Sequence, residues 1–450
     1  MQVTTADLWS PAPGTVLRWD VTASSAGTPT ALSLNQRNHL AGALAGEAPV
    51  WLAAAFDVDG PIEPVALGRA WRAFVERHSS LQLEVVAGED GPAAYRHHPG
   101  TLTWSMSQLG ATRTVEETRD RLHEALGTGC HPFGYPAYVP LAVSRPERST
   151  VVLGMDHLHC DAYSLTVVVD ELDALYESFR CGGTPAALPD AACFVSGVEA
   201  SYAQPVQVWH DDDRLRGWHS FVRERDFAVP SFPLPLGVAP GERVRQSSLV
   251  RPLADAELVG RVSARARTAG ASTYAASLAA LAAAVSDLGG PARLDTLAPV
   301  QTRTGDAARR SVGWYTTTVP VSVTAALSDA GLAAAGEAVR HGVRLGQVPL
   351  DQVLASLPAP LVQTHRDVFM VSWIDYRHLP GGDRARVRDA HHVSAPTLAD
   401  DVQLWLSRTD EGLAVRARYP DTEVARRTVD ALLDVCGARL RDLAAVAVRS

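Results

Sequence analysis

The sequence predicts a mixed α/β (α+β) fold in two lobes, and three observations carry that expectation. The first is the stretch Val151–Ser164, VVLGMDHLHCDAYS, where an apolar run reading as a buried strand ends at Gly154 and gives way to a polar cluster. Beyond it the period changes: Leu165, Val168, Val169, Leu172 and Tyr176 fall on one helical face, with Ser164 placed as N-cap. The second is PSFPLPLGVAP, Pro230–Pro240, whose four prolines in eleven residues exclude a continuous helix or central strand and mark a crossover between lobes. The third is length: 450 residues suit two to three average domains. The expected division is 1–195 for the first lobe, 196–245 for the crossover and 246–450 for the second lobe.

Taken in order, the first thirty residues are rich in Pro, Thr and Ser and are expected to wrap the surface. Trp51–Val58 reads as a strand. Leu67, Ala70, Trp71, Phe74 and Val75 make a helical stripe, followed by a strand at Leu81–Val86. Further strands are expected at Leu102–Met106 and Tyr138–Val143, with a helix near Val115–Leu126 between them. From about Ala191 to Val244 the pattern loosens, and Trp209 and Trp218 are expected to pack on one of the lobes. Ala254–Asp287 is helix-rich, and its Ala-rich part suggests a helix packed tightly inside its lobe. Strands follow at Leu294–Pro299 and Val368–Tyr376, the latter carrying Ser372. A hairpin of Val402–Leu406 and Leu413–Tyr419 turns at Asp410-Glu411-Gly412. The closing helix shows Val429, Leu432, Leu433, Cys436, Leu440 and Leu443 at amphipathic spacing.

Composition excludes several function classes. Net charge is −9 without long runs of one sign, which argues against nucleic acid as the principal partner and supplies no polybasic membrane patch. The five cysteines are scattered, with no CxxC pair and no zinc-site spacing, as expected for free thiols in a reducing cytosol. His97-His98 and His391-His392 are adjacent on strands, so each pair points to opposite faces and no metal site is expected. The N-terminus has no basic and apolar signal-peptide regions, and Ser272–Val285 is too short to span a bilayer. A cytoplasmic protein is the expectation.

His157 is the leading catalytic candidate. An imidazole titrates near pH ~6.5 and so can take a proton from a hydroxyl or amine and return it within one turnover. With Asp161 four residues on, the segment resembles the HHxxxDG signature of the condensation-domain superfamily of CoA- and carrier-dependent acyltransferases. The similarity is closest to the actinobacterial polyketide-associated (Pap-type) enzymes. Registering on Asp161 puts Asp156 where the family has its first His, and Ala162 where the Gly is usual. Other landmarks resemble the family in the expected order. They are Ala31–Leu40 (ALSLNQRNHL), RAWRAFVERHSSLQ with His78 in the scaffold and Gln82 for the usual Arg, the Arg303 loop, and Gly313-Trp314-Tyr315 before Thr316–Thr318.

The resemblance implies two chloramphenicol-acetyltransferase-like lobes forming a V-shaped pseudo-dimer with a tunnel between them. His157 would be general base at its middle. Asp161 would turn away and pair with Arg303, an arginine of the second lobe, to pin the catalytic loop. Asp156 could orient His157 or face the loop backbone; Ser372 and Thr317 are oxyanion or acceptor-side candidates; Ala162 would border the donor channel. Cys160 allows a Cys–His nucleophile reading, although the family places no nucleophile there, and His159 reads as a packed loop residue. The implied function is acyl transfer from a CoA or carrier-protein thioester to a hydroxyl or amine acceptor. It would serve lipid, polyketide or natural-product biosynthesis by a monomer without cofactor, with an acyl carrier protein or polyketide synthase as alternative donor partner. Two alternatives stand beside it: a degenerate domain that binds a carrier or acyl chain without turnover, and an amide-forming condensation enzyme of peptide synthesis.

Overall fold

A computed structural model describes residues 1–445 apart from Asp90 and Pro240, so the last residue of the Pro230–Pro240 stretch and positions 446–450 lie outside the described residues. The chain divides into two compact units, each described here by itself. Unit 1 comprises Met1–Pro205, Thr302–Tyr315 and His378–Thr397, and unit 2 comprises Val206–Gln301, Thr316–Arg377 and Leu398 onward.

Unit 1 is built on a seven-stranded mixed sheet. Its order is Gln2–Thr5, His391–Ser394, Trp51–Asp59, Arg148–Asp156, Tyr138–Ser144, Thr15–Ala23 and Leu102–Ala111. The Arg148–Asp156 strand lies near the middle and is buried from Ser149 to Asp156, as its unbroken apolar run requires. It pairs antiparallel with Trp51–Asp59 so that Asp156 stands opposite Trp51. Helices Pro64–Arg77 and Ser164–Arg180 pack together, and the apolar stripes read from the sequence are their buried faces. A smaller three-stranded sheet joins Thr28–Thr30, Gly91–Arg96 and Leu83–Gly88.

Unit 2 holds a second seven-stranded sheet. Its order is Thr316–Thr324, Arg293–Gln301, Met370–Asp375, Gln403–Thr409, Gly412–Pro420, Val244–Asp255 and Leu398–Ala399. Helix Thr273–Asp287 is the tightly packed element its alanines suggest, with every residue from Ala275 to Val285 buried. Helix Glu423–Ala445 buries all six residues of the stripe expected for it. Among the described residues no single helix is long and apolar enough to cross a membrane.

Four expectations need correction. The first thirty residues are not surface wrapping: Thr15–Ala23 is an interior strand with Val16, Trp19 and Val21 buried, an alternation hidden by the polar composition around it. The units are also not contiguous spans meeting at a 196–245 linker. Residues 206–245 fold with unit 2, where Trp218 packs against Leu345, Val348 and Val353. His391–Ser394 pairs with Trp51–Asp59, which draws the 378–397 segment into unit 1. Trp209 does not pack on either unit's core, being 71% exposed. Finally, Ser164 is the first helical residue and Tyr163 the N-cap, a one-residue displacement that frees the Ser164 hydroxyl for the site below.

Unit 2 contains a pH-sensitive buried carboxyl. Asp401 accepts the backbone N–H groups of Phe232 at 3.0 Å and Val402 at 2.7 Å. Burial nevertheless pushes its carboxyl up to about 7, with Asp367 and Asp400 adding to the effect. Between 3.8 and about 7 the folded chain therefore keeps a proton that the unfolded chain releases, and stability falls as pH rises through that window. Asp401→Asn keeps an acceptor for both N–H groups. Its melting midpoint is expected to exceed the wild type's at pH 8 and to match it near pH 4; equal midpoints at both pH values would contradict this reading.

Candidate active site

The polar cluster of the sequence folds into a tight loop between the end of the Arg148–Asp156 strand and helix Ser164–Arg180. The strand's hydrogen bonding carries past its end, with Asp156 N–H donating to Ala137 O and His157 N–H to Val50 O. The loop then turns as His159 N–H donates to Asp156 O. His159 points into the interior, where its Nδ1 lies 2.6 Å from Ser80 O, and it is a packed residue as expected. Cys160 is buried, and burial pushes its thiol well above the usual range, so it holds no thiolate nucleophile. Cys160→Ala is expected to retain more than half of wild-type turnover in an acyl-transfer assay, and loss of activity in a folded variant would revive the Cys–His reading.

Asp161 and Arg303 meet in a sealed pocket. The guanidinium donates to both carboxylate oxygens, at 2.6 and 3.0 Å, with the two side chains only 4% and 2% exposed. Arg303 Nη2 also donates to Ser164 Oγ and to the carbonyls of Ser311 and Gly313. The rings of Tyr163 and Tyr315 lie 4.3 and 4.4 Å from its Cζ. The carboxylate further accepts Ser164 N–H, Ser164 O–H and Tyr315 N–H. Burial alone would raise the Asp161 carboxyl, but the Arg303 charge and these hydrogen bonds outweigh it and hold it below the usual range. The expected pair is thus formed, with one correction: Arg303 follows the start of the second half in sequence, yet its segment Thr302–Tyr315 belongs to unit 1. That segment approaches closely at Gly313, where a Cβ would stand 2.4 Å from the Phe194 ring.

The same segment delivers Trp314, whose indole stacks on His157 with ring centroids 3.9 Å apart and planes 26° from parallel. His157 keeps partial exposure while its Nδ1 is buried beside its own backbone, leaving the Nε2 edge to meet a substrate. Burial lowers its proton affinity below the usual imidazole value, and His39 lowers it further, against the opposing pull of its own backbone, Asp156 and Asp161. The ring is therefore neutral at neutral pH, the state a general base requires.

Sequence reasoning missed the helix that closes the other side. Ser33 and Gln36 form a capping box at the start of helix Leu34–Leu44. Gln36 Nε2 donates to Leu158 O at 3.0 Å, and His39, one turn on, places Nε2 2.7 Å from Asp156 Oδ1. The available signal was the i, i+3 spacing of Gln36 and His39 in a stretch already noted as a landmark. Asp156, left open between two roles, also accepts Leu158 N–H and so braces the loop backbone. Ala162 sits half-buried on the loop. Ser372 lies on strand Met370–Asp375 and Thr317 on strand Thr316–Thr324, both in unit 2. Among the described residues no group of three His, Cys, Asp or Glu is arranged to hold a metal. Unit 2 separately contains an apolar cavity of about 270 Å³, with Trp218, Leu297, Val353, Leu361 and Met370 on its wall.

Comparison with known proteins places this geometry. Acyltransferase PapA3 of Mycobacterium tuberculosis is 26% identical over 344 residues, covering 74% of this chain and 68% of its own. The 2'-acyl-2-O-sulfo-trehalose (hydroxy)phthioceranyltransferase PapA1 of Mycobacterium bovis is 25% identical over 451 residues, covering 94% and 85%. The solved structure of PapA2 acyl transferase superposes with a TM-score of 0.88 at 22% identity over 99% of this chain and all of that one, which establishes the shared fold. The Condensation domain family matches residues 31–373, more than half of the sequence. The chain belongs to the condensation-domain family.

Proposed function

We propose that the chain is an acyltransferase that moves an acyl group from a CoA or carrier-protein thioester to a hydroxyl, in ester formation for lipid biosynthesis. The observation that carries this is His157: a neutral, partly exposed imidazole stacked on Trp314 in a loop pinned by a buried ion pair. Nε2 takes the proton of the acceptor hydroxyl as its oxygen attacks the thioester carbonyl. The tetrahedral oxyanion collapses, the C–S bond breaks, and the imidazolium returns its proton to the leaving thiolate. Atoms and charge balance without an acyl-enzyme, a metal or a cofactor. General-base catalysis supplies roughly 10²–10⁴ of the rate, and holding both substrates together supplies up to ~7–11 kcal/mol more.

The acceptor is best sought among sugar hydroxyls, because PapA1 and the trehalose-2-sulfate acyltransferase PapA2 are named for acylating trehalose derivatives. The apolar cavity of unit 2 has the lining an acyl chain requires. The test incubates the protein with acyl-CoAs of graded chain length and a panel of hydroxyl acceptors including trehalose and its 2-sulfate, reading acylated products by mass. An acylated acceptor supports the proposal. Tight binding of acyl-CoAs and of carrier-bound acyl chains with no product from either would favour the binding-only alternative.

A further inference from the structure

Asp156 is a fully buried carboxylate, and burying a charge is costly unless it is balanced. No lysine or arginine does so. Its Oδ1 accepts Leu158 N–H at 2.8 Å and lies 2.7 Å from His39 Nε2, while Oδ2 is buried without a hydrogen-bond partner. The side chain that partners it is an imidazole from another helix. That imidazole is not remote from the motif. The His39 ring lies 6.4 Å from the His157 ring, and its edge meets Trp314 at 5.9 Å, the same indole that stacks on His157. A small opening lined by His39, Glu47, His131 and Pro132 reaches the His39 side of the pair.

We infer that His39 is a positioning residue for the motif histidine: hydrogen-bonded to Asp156, it forms with that side chain a pair that biases His157 from two opposing directions. This rests on His157 being the general base. His39 disfavours a proton on His157, and Asp156, on the adjoining residue, favours one. The other charges that face His157 are Asp161, already neutralised by Arg303, and none from the Trp314 segment beyond that arginine. His159 sits in the same loop, and burial keeps it neutral. Cys130, near Asp156, is likewise held as a neutral thiol by burial.

The two side chains act on His157 in opposite senses, so removing them singly has opposite consequences, which a merely structural role does not produce. His39→Gln keeps a hydrogen-bond donor for Asp156 but removes the imidazole. Asp156→Asn removes the carboxyl group. The titration of His157 is read in histidine-labelled protein by NMR, its resonance assigned by loss in His157→Ala, and compared with the acid limb of the pH–kcat/KM profile. His39→Gln is expected to raise the His157 midpoint by about one pH unit and Asp156→Asn to lower it by about as much. The double variant returns to within half of either shift. Shifts of the same sign, or midpoints unmoved in both single variants, overturn the inference. If His39→Gln does not fold, Asp156→Asn decides alone, since an unmoved or raised midpoint there is sufficient to reject it. Because the NMR titration needs no turnover, absence of acyl transfer would count against the proposed function without touching this result.

Discussion

Replacing His157 by alanine is expected to lower kcat/KM for acceptor-dependent thioester cleavage by roughly 10²–10⁴-fold, with little change in stability. The asymmetry follows from the geometry. The buried Nδ1 of His157 faces its own backbone rather than another side chain, and the ring stacks on the face of Trp314. The ring can be removed without orphaning a charge, and the loop keeps its backbone bonds to Val50 and Ala137. What disappears is a neutral base with an accessible edge in the motif loop. His159 cannot replace it, since it is sealed and held by Ser80. The measurement is the initial rate of thiol release with and without acceptor, beside a melting curve. A folded variant with wild-type rate would remove His157 from the mechanism.

Arg303→Ala has the opposite signature, a large loss of stability. It strands the Asp161 carboxylate in a pocket where both partners are almost fully buried, and an orphaned buried charge costs about 3–5 kcal/mol. It also strips a cation from between the Tyr163 and Tyr315 rings. Asp161→Ala incurs a similar cost by stranding Arg303. Asp161→Asn costs less, because an amide oxygen in the Oδ1 position still accepts from Ser164 and from Arg303 Nη2, and no side chain is lost. The Asp161 carboxyl sits below its unfolded value, so its contribution is present above the usual carboxylate range and is lost as pH falls through the folded value. Denaturant unfolding at neutral pH should rank wild type above Asp161→Asn above Asp161→Ala and Arg303→Ala. If Asp161→Ala and Asp161→Asn match the wild type, the pair does not pin the loop.

How much of this was legible in sequence depended on how local the signal was. The motif loop was readable because an apolar strand, a polar cluster and a helical stripe follow one another within thirty residues. The same holds for the closing helix, whose six stripe positions are all buried. Ser164 was displaced by one position because its hydroxyl serves Asp161, Gly313 and Arg303 rather than its own helix end. Strand Thr15–Ala23 was missed because its alternation sits among Pro, Thr and Ser. Strand His391–Ser394 could be read locally, but not its partner more than three hundred residues away. His39 failed for the same reason: its meaning depends on Asp156, 117 positions on. Arg303 was found only through family resemblance, since nothing in its own neighbourhood points to Asp161.

The central claim is a direct, single-step transfer from thioester to hydroxyl with His157 as base. The most direct test follows free thiol and intact protein mass together, in wild-type protein given an acyl-CoA first without and then with a productive hydroxyl acceptor. The account predicts that thiol appears in step with acylated acceptor, only after acceptor is added, and that the protein mass never changes. A burst of thiol without acceptor, matched by a protein heavier by one acyl group, would contradict it and point to a covalent intermediate.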